Sequence, residues 1–212
     1  MATSITNYTT LQTYIATLLA REGDTDVTDW IPDFIQLCET DLNLNLRARE
    51  MITTVNINPS AVNKYVSLPT GFLEHISFSD QNGDPLEEES MERIERLRYA
   101  SGNGNIEYYA ITNQIEFERT GNASHNYPMT YFKELDLATD TTNDILTKYP
   151  NLYVYGSCLH AAPFLHDDKR IQVWSAYISQ TIKDLNKRAR KNKRESRTDL
   201  NRNQRFNILQ SY

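Results

Sequence analysis

The chain has only two cysteines, seven glycines and four histidines in 212 residues, and each scarcity narrows what it can do. Cys38 and Cys158 lie far apart, each in an apolar helical pattern, so both are expected as reduced, buried small hydrophobes and not as a disulfide framework. The few glycines nowhere form a phosphate-cradling loop, and neither a G-x-S-x-G elbow nor an H-E-x-x-H pair occurs. A zinc set of Cys158, His160, His166 and Asp167 can be drawn on paper. Cys158 and His160, two apart, would point to different faces of a helix, and no pair has the usual ligand spacing. No metal and no cofactor is expected. The acidic run Glu87-Glu88-Glu89 invites comparison with a glycan hydrolase, but neighbours on a strand face opposite ways, and cooperating carboxylates stand about 5–9 Å apart across a cleft. His75 and His125 have no recognisable Ser or Cys partner, so the expectation is a protein that is not an enzyme. No apolar run approaches the ~18 residues of a membrane span, and MATSITNYTT lacks the basic and apolar layout of a secretion signal. Synthesis in a cytoplasm, with no membrane partner, is expected.

What is present is charge, unevenly placed. Residues 187–212 hold nine Lys/Arg against two Asp/Glu, while the whole chain holds 22 against 28. The last 26 residues are therefore net +7 and the preceding 186 net −13, in a chain of net −6. An acidic body with a basic tail suits either a polyanion or the acidic surface of a protein neighbour.

Periodicity divides the body. Residues 1–49 read as a helical hairpin. Thr9 and Gln12 stand in capping-box relation with Gly23 as a C-terminal cap, and a second helix starts at Thr28 or Asp29, with Ile31, Ile35, Cys38 and Leu42 in one stripe. Residues 50–136 alternate with period two and read as a β-rich subdomain of about six strands with one inserted helix. Hairpin turns are expected at Asn82-Gly83 and Thr112-Asn113. Residues 137–186 return to helix. Asn151 is the expected cap of one helix that Pro163 bends or ends, Asp167-Asp168 cap the last, and an apolar seam runs Ile171, Trp174, Ile178, Ile182, Leu185. The expected class is α+β: a helical bundle formed from both chain ends, a central β-rich insertion and an extended C-terminal tail. Trp30, Phe34, Tyr153, Tyr155, Phe164, Trp174 and Ile178 are the candidates for bundle and subunit packing, because abundant aromatics are more often packed than displayed as a platform.

Three stretches in order carry a resemblance. YVSLPTGFLEHISFSD (65–80) contains a Leu-Pro-x-Gly-Phe element. Residues 127–174 combine a strand, a Pro-x-Leu-Tyr helix, Ala-Ala-Pro-Phe-Leu and Asp-Asp-x-Arg…Trp; WIPDFIQLCE (30–39) is the third. Together they resemble the head-to-tail adaptor (connector, or head-completion) proteins of tailed bacteriophages. The resemblance implies a helical bundle with a β-rich part and a ring, commonly dodecameric, beneath the portal protein. It also implies a C-terminal segment docking on the portal, tail nozzle or hub proteins on the other face, and passage of double-stranded DNA through the centre. It places the protein in the virion at the head–tail junction.

The tail itself admits three readings: a solvated solubilising end, a nucleic-acid arm, or a docking strap. Lys187, Arg188, Arg190, Lys191, Lys193, Arg194, Arg197, Arg202 and Arg205 would favour DNA by counterion release, but no aromatic alternates with them for stacking on bases. Phe206, Ile208, Leu209 and Tyr212 follow the cations, and a solvated end has no need of such apolar anchors. The strap is the favoured reading. A DNA-binding accessory protein using the same tail is the alternative, and a peptidoglycan-degrading tail protein the second.

Overall fold

The computed structural model describes residues 4–59, 62–100, 104–122, 124–165 and 170–189. In chain order the elements are α1 (Tyr8–Leu18), α2 (Thr25–Thr28), α3 (Ile31–Asn45), a 3-10 turn (Arg49–Met51), β1 (Ile52–Ile57), β2 (Tyr65–Ser67), β3 (Phe72–Phe78) and β4 (Glu87–Glu88). Then come α4 (Met91–Ala100), β5 (Tyr108–Ile111), β6 (Gln114–Phe117), β7 (Tyr127–Lys133), α5 (Leu137–Asp140), α6 (Asp144–Lys148) and α7 (Pro150–Phe164). Residues 171–189 form a last helix, α8. The fold is α+β, in two compact units: a helical one, up to Met51 and from Leu135 onward, and a β-rich one, Ile52–Glu134.

In the helical unit, local chemistry sets the helix ends, in places other than expected. Asn7, with extended φ of −155°, holds its Oδ1 over the Thr10 N–H (2.9 Å), and Thr10 Oγ1 accepts the Asn7 N–H (3.0 Å). This is the capping box, and it displaces the expected Thr9–Gln12 pair. α1 closes at Leu18, and Ala20 takes the left-handed turn (φ 54°) before Gly23 is reached. The separate turn α2 uses up Thr25–Thr28, so α3 starts later than expected, at Ile31, with Pro32 in its first turn, where the missing N–H costs nothing. Ile31, Ile35, Cys38 and Leu42 are all buried, joined by Phe34. α7 begins at Pro150 with Tyr149 at the cap; Asn151, expected there, is exposed. Pro163 falls in the last turn, and the helix ends at Phe164. The proposed cap Asp167-Asp168 and the adjoining His166 lie outside the described residues.

The β-rich unit contains two sheets. One has the order β1-β7-β3, antiparallel throughout; the other has β2-β6-β5-β4, with β4 parallel to β5 and the rest antiparallel. Both contribute to one core: Ile57, Phe78, Tyr127 and Met129 from the first, Tyr109, Ile115 and Phe117 from the second. The Leu-Pro-x-Gly-Phe element is the switch between sheets. Gly71 adopts φ 70°, open to glycine without penalty, and its carbonyl accepts the Glu134 N–H (2.8 Å) as β3 leaves to pair with β7. Thr112-Asn113 does turn β5 into β6. Asn82-Gly83 does turn the chain back on itself: Asp80 N–H reaches Asp84 O (2.8 Å), Ser79 bridges Pro85 antiparallel, and Leu86 N–H reaches Phe78 O (2.9 Å), a short hairpin. Beyond Leu86 the chain leaves that partner, and β4 pairs in parallel with β5.

Candidate functional site

The helical unit contains the side chains expected to matter, and burial sorts them. Phe34, Tyr153 and Trp174 are buried, Tyr155 and Ile178 half-buried, and Trp30 and Phe164 exposed. Phe164 lies at the end of α7 and contacts two of them: ring centroids are 6.0 Å from Trp30 and 5.8 Å from Phe34. Tyr155 stacks on Trp174 (6.5 Å) and meets Tyr177 edge-on (5.2 Å), joining α7 to α8. Between α3, α7 and α8 lies a half-open groove of about 460 Å³, lined among others by Asp41, Asn45, Gly156, His160, Ser175 and Ser179. His160 Nε2 stands 3.0 Å from Asp41 Oδ2 at its edge.

The helical unit also holds a buried polar network that pattern reading missed. Glu39 sits among the apolar residues of α3 and is itself buried. Its Oε1 accepts the Leu137 N–H (2.9 Å) and the Tyr153 hydroxyl (3.2 Å). Tyr153 in turn accepts Asn143 Nδ2 (2.8 Å), and Asn143 Oδ1 caps α6 by accepting Leu146 N–H (2.8 Å). Burial pushes the Glu39 carboxyl up to about 7, against the two hydrogen bonds that favour its charged form, and Asp136 and Asp140 add to the rise. Burial likewise lifts Tyr153 well above an ordinary phenol, followed by the Glu39 charge. One turn further along α3, Asn43 clamps Leu135 at both backbone atoms: Oδ1 accepts the N–H (2.8 Å) and Nδ2 donates to the C=O (3.1 Å). Asn43→Ala leaves two backbone groups of a buried residue without partners, and an unfolding titration should read a loss of about 1–2 kcal/mol.

The base of the tail is held in the same manner. Asn186, on α8, accepts the Arg47 N–H (2.7 Å) and donates to Asn45 O (2.8 Å). Leu185 beside it is buried. These contacts carry the helix beyond residue 186, so Lys187 and Arg188, expected in an extended tail, are exposed residues of α8. Arg188 lines a hollow of about 270 Å³ with Arg49, Glu50, Tyr149, Leu185 and Ala189. The tail residues from Arg190 through Tyr212 lie outside the described residues.

The chemistry-bearing side chains elsewhere do not assemble. Glu87 and Glu88 are exposed on β4, and Glu88 Oε2 lies 3.3 Å from His75 Nε2. His125 contacts Gln81 and Asn122. Among the described residues no group of three or more His, Cys, Asp or Glu is placed to hold a metal, and no helix is long and apolar enough to cross a membrane. Cys38 and Cys158 are both buried and unlinked, and burial raises the Cys158 thiol to about 12.

A comparison with curated proteins gives no match. The family model described as SU10 adaptor protein matches residues 6–204, which takes in both units and much of the basic tail. The chain belongs to the SU10 adaptor protein family, and that membership supports a structural role as a bacteriophage adaptor.

Proposed function

We propose that the protein is a non-enzymatic head-to-tail adaptor of the virion, assembling as a ring beneath the portal, most simply a dodecamer, through which DNA leaves the head. The observation that carries this reading is the family match running unbroken through residue 204, from the acidic body deep into the basic tail. Tail nozzle or hub proteins then occupy the opposite face of the ring.

In this reading the C-terminal segment is the portal strap, and its root, 187–189, is helical. Asn186 hydrogen-bonded to Asn45 and Arg47 gives that root a rigid seat, so tension on the strap is carried by the folded body. Beyond it, cations guide the approach and Phe206, Ile208, Leu209 and Tyr212 supply apolar anchors. Ordering a segment only on contact makes addition conditional on a completed portal surface. Deleting residues 190–212 should leave a soluble chain with the parent's melting behaviour that no longer sediments with portal-bearing heads. Normal attachment of the truncated chain removes the strap from the mechanism.

The nine cations favour one competing reading, a DNA-binding accessory protein. It requires affinity of the full chain for free duplex DNA that falls steeply as salt rises, with a slope set by the phosphates neutralised. The adaptor reading requires attachment to heads that does not depend on free DNA.

A further inference from the structure

We propose that the outer edge of β1 is a pairing surface for a second copy of this chain, the two β1 strands running antiparallel about a two-fold axis at Val55. The two sheets end in four strands, β1, β3, β2 and β4, and three of these carry a device that discourages further pairing. β2 has three residues and β4 only two, the exposed acids Glu87 and Glu88. β3 has seven, but its register against β7 shifts twice, at Phe72/Glu74 and at His75/Ser77, and its end is taken up by the hairpin back to Leu86. β1 has none of these devices. Ile52-Thr53-Thr54-Val55-Asn56-Ile57 pairs with β7 without a break and contains no charge, proline or glycine. Among the described residues no strand pairs with its other edge. A second observation lies on the same strand. Thr53, Val55 and Ile57 share one face, and Ile57 is buried in the core of the unit. Val55, two positions along that face, is nevertheless 36% exposed. The core therefore ends in an uncovered valine at an open edge, where one more strand would close it.

Charge and number identify the occupant as another copy. A two-fold contact sets each residue against itself or a near neighbour on the copy, so a charged strand opposes like charge with like. β1 carries no charge of either sign and can face itself. The long open edge is single, so pairing stops at two copies, whereas a second one would let it run on into a fibre. The register follows from the pleat. Paired residues of antiparallel strands share a face and side chains alternate, so the axis must lie level with a residue and not between two. Placed at Val55, it sets Val55 against its copy and Thr53 against Ile57 on the core side, with Thr54 against Asn56 on the solvent side. Cross-strand pairs of β-branched residues are favourable. Placed at Thr54, it would set Ile52 against Asn56 and leave Val55 against Thr53. The contact is small, well under the roughly 1,200 Å² at which stable complexes begin, so the pair exchanges with single chains. A two-fold contact cannot be repeated around a ring of equivalent subunits. The pair is thus a form of the free chain, and it stands or falls independently of the adaptor reading.

The test is sedimentation equilibrium of the full chain from low to high micromolar concentration. The mass should rise from that of one chain toward that of two and go no further. Thr54→Lys with Asn56→Lys, both exposed positions, sets lysine against lysine across the contact and should weaken pairing about tenfold or more. Thr54→Glu with Asn56→Glu should do the same, and mixing the two double variants should restore the two-chain mass. That recovery separates a lost contact from a lost fold. Val55→Cys should form a disulfide-linked dimer under mild oxidation, since paired Cα atoms stand about 4.5–5.5 Å apart, and the native cysteines are buried. Thr54→Cys should not. A parent chain that stays single over the whole range overturns the pair. A mass rise that survives in the lysine variant puts the contact elsewhere and overturns it as well, as does a mixture of lysine and glutamate variants that fails to recover. A link through Thr54→Cys and not Val55→Cys overturns the register. If the parent is single in solution and Val55→Cys joins a different protein in assembled heads, the edge belongs to a foreign strand and the self-pair is wrong.

Discussion

Gly156→Ala should unfold several degrees below the parent chain. A Cβ built on Gly156 of α7 collides with Cys38 Sγ on α3, a short buried side chain that has no flexible end to swing aside. Relieving the overlap means separating two helices that share the unit's interior, and overpacking of this kind costs about 1–3 kcal/mol. For a chain of this length each kcal/mol lowers Tm by roughly 2–4 °C. The cause can be isolated. Cys38→Ala alone removes a buried sulfur and costs about 1 kcal/mol. Combined with Gly156→Ala it should cost little more, because the new methyl then faces the Cys38 Cβ position at 3.4 Å, ordinary contact. A double-mutant cycle should therefore show coupling of about 1–3 kcal/mol. Strict additivity would mean that the two side chains do not meet.

Glu39 should give the protein an unusual pH dependence for a carboxylate. Its pKa is raised by burial from 4.5 to about 7, so between those values the folded chain holds a proton that the unfolded chain has released. Stability then falls as pH rises through this window, by on the order of 2–3 kcal/mol in all, and levels off above it. Paired surface carboxylates have the opposite slope, and Glu39 can be separated from them by substitution. Glu39→Gln keeps an acceptor for Leu137 N–H and the Tyr153 hydroxyl and removes the charge; denaturant unfolding between pH 5 and 8 should lose the downward slope. Glu39→Leu strands both donors in the interior and should cost about 2–3 kcal/mol at pH 5, where the native carboxyl is largely neutral. An unchanged slope in Glu39→Gln would assign the titration to another group.

These two residues show what local pattern conceals. Glu39 reads as one more polar position beside an apolar stripe; its partners, Leu137 and Tyr153, come from the other end of the chain. Gly156 reads as a weak point in a helix, and the need for it appears only when Cys38 is brought against it. The aromatic residues selected from sequence illustrate a further difficulty. Trp30 and Phe34 are equally apolar and four apart, yet one is half exposed and the other buried, because which side of α3 faces inward depends on α7 and α8.

Period and turn chemistry suffice for the mixed α+β character, for the strand character of 52–57 and 127–133, and for the β5–β6 hairpin, since each depends on neighbours a few residues away. The step in charge at residue 187 and the family resemblance are likewise properties of the linear chain. Partnership is different. That β2 and β3, one turn apart, enter different sheets, that β4 pairs in parallel with β5, and that Asn186 seats the root of the tail on Asn45 and Arg47 all depend on pairs remote in sequence. Such pairs form where burial and hydrogen bonding outweigh the entropy of closing a long loop, a balance that no short window of residues contains.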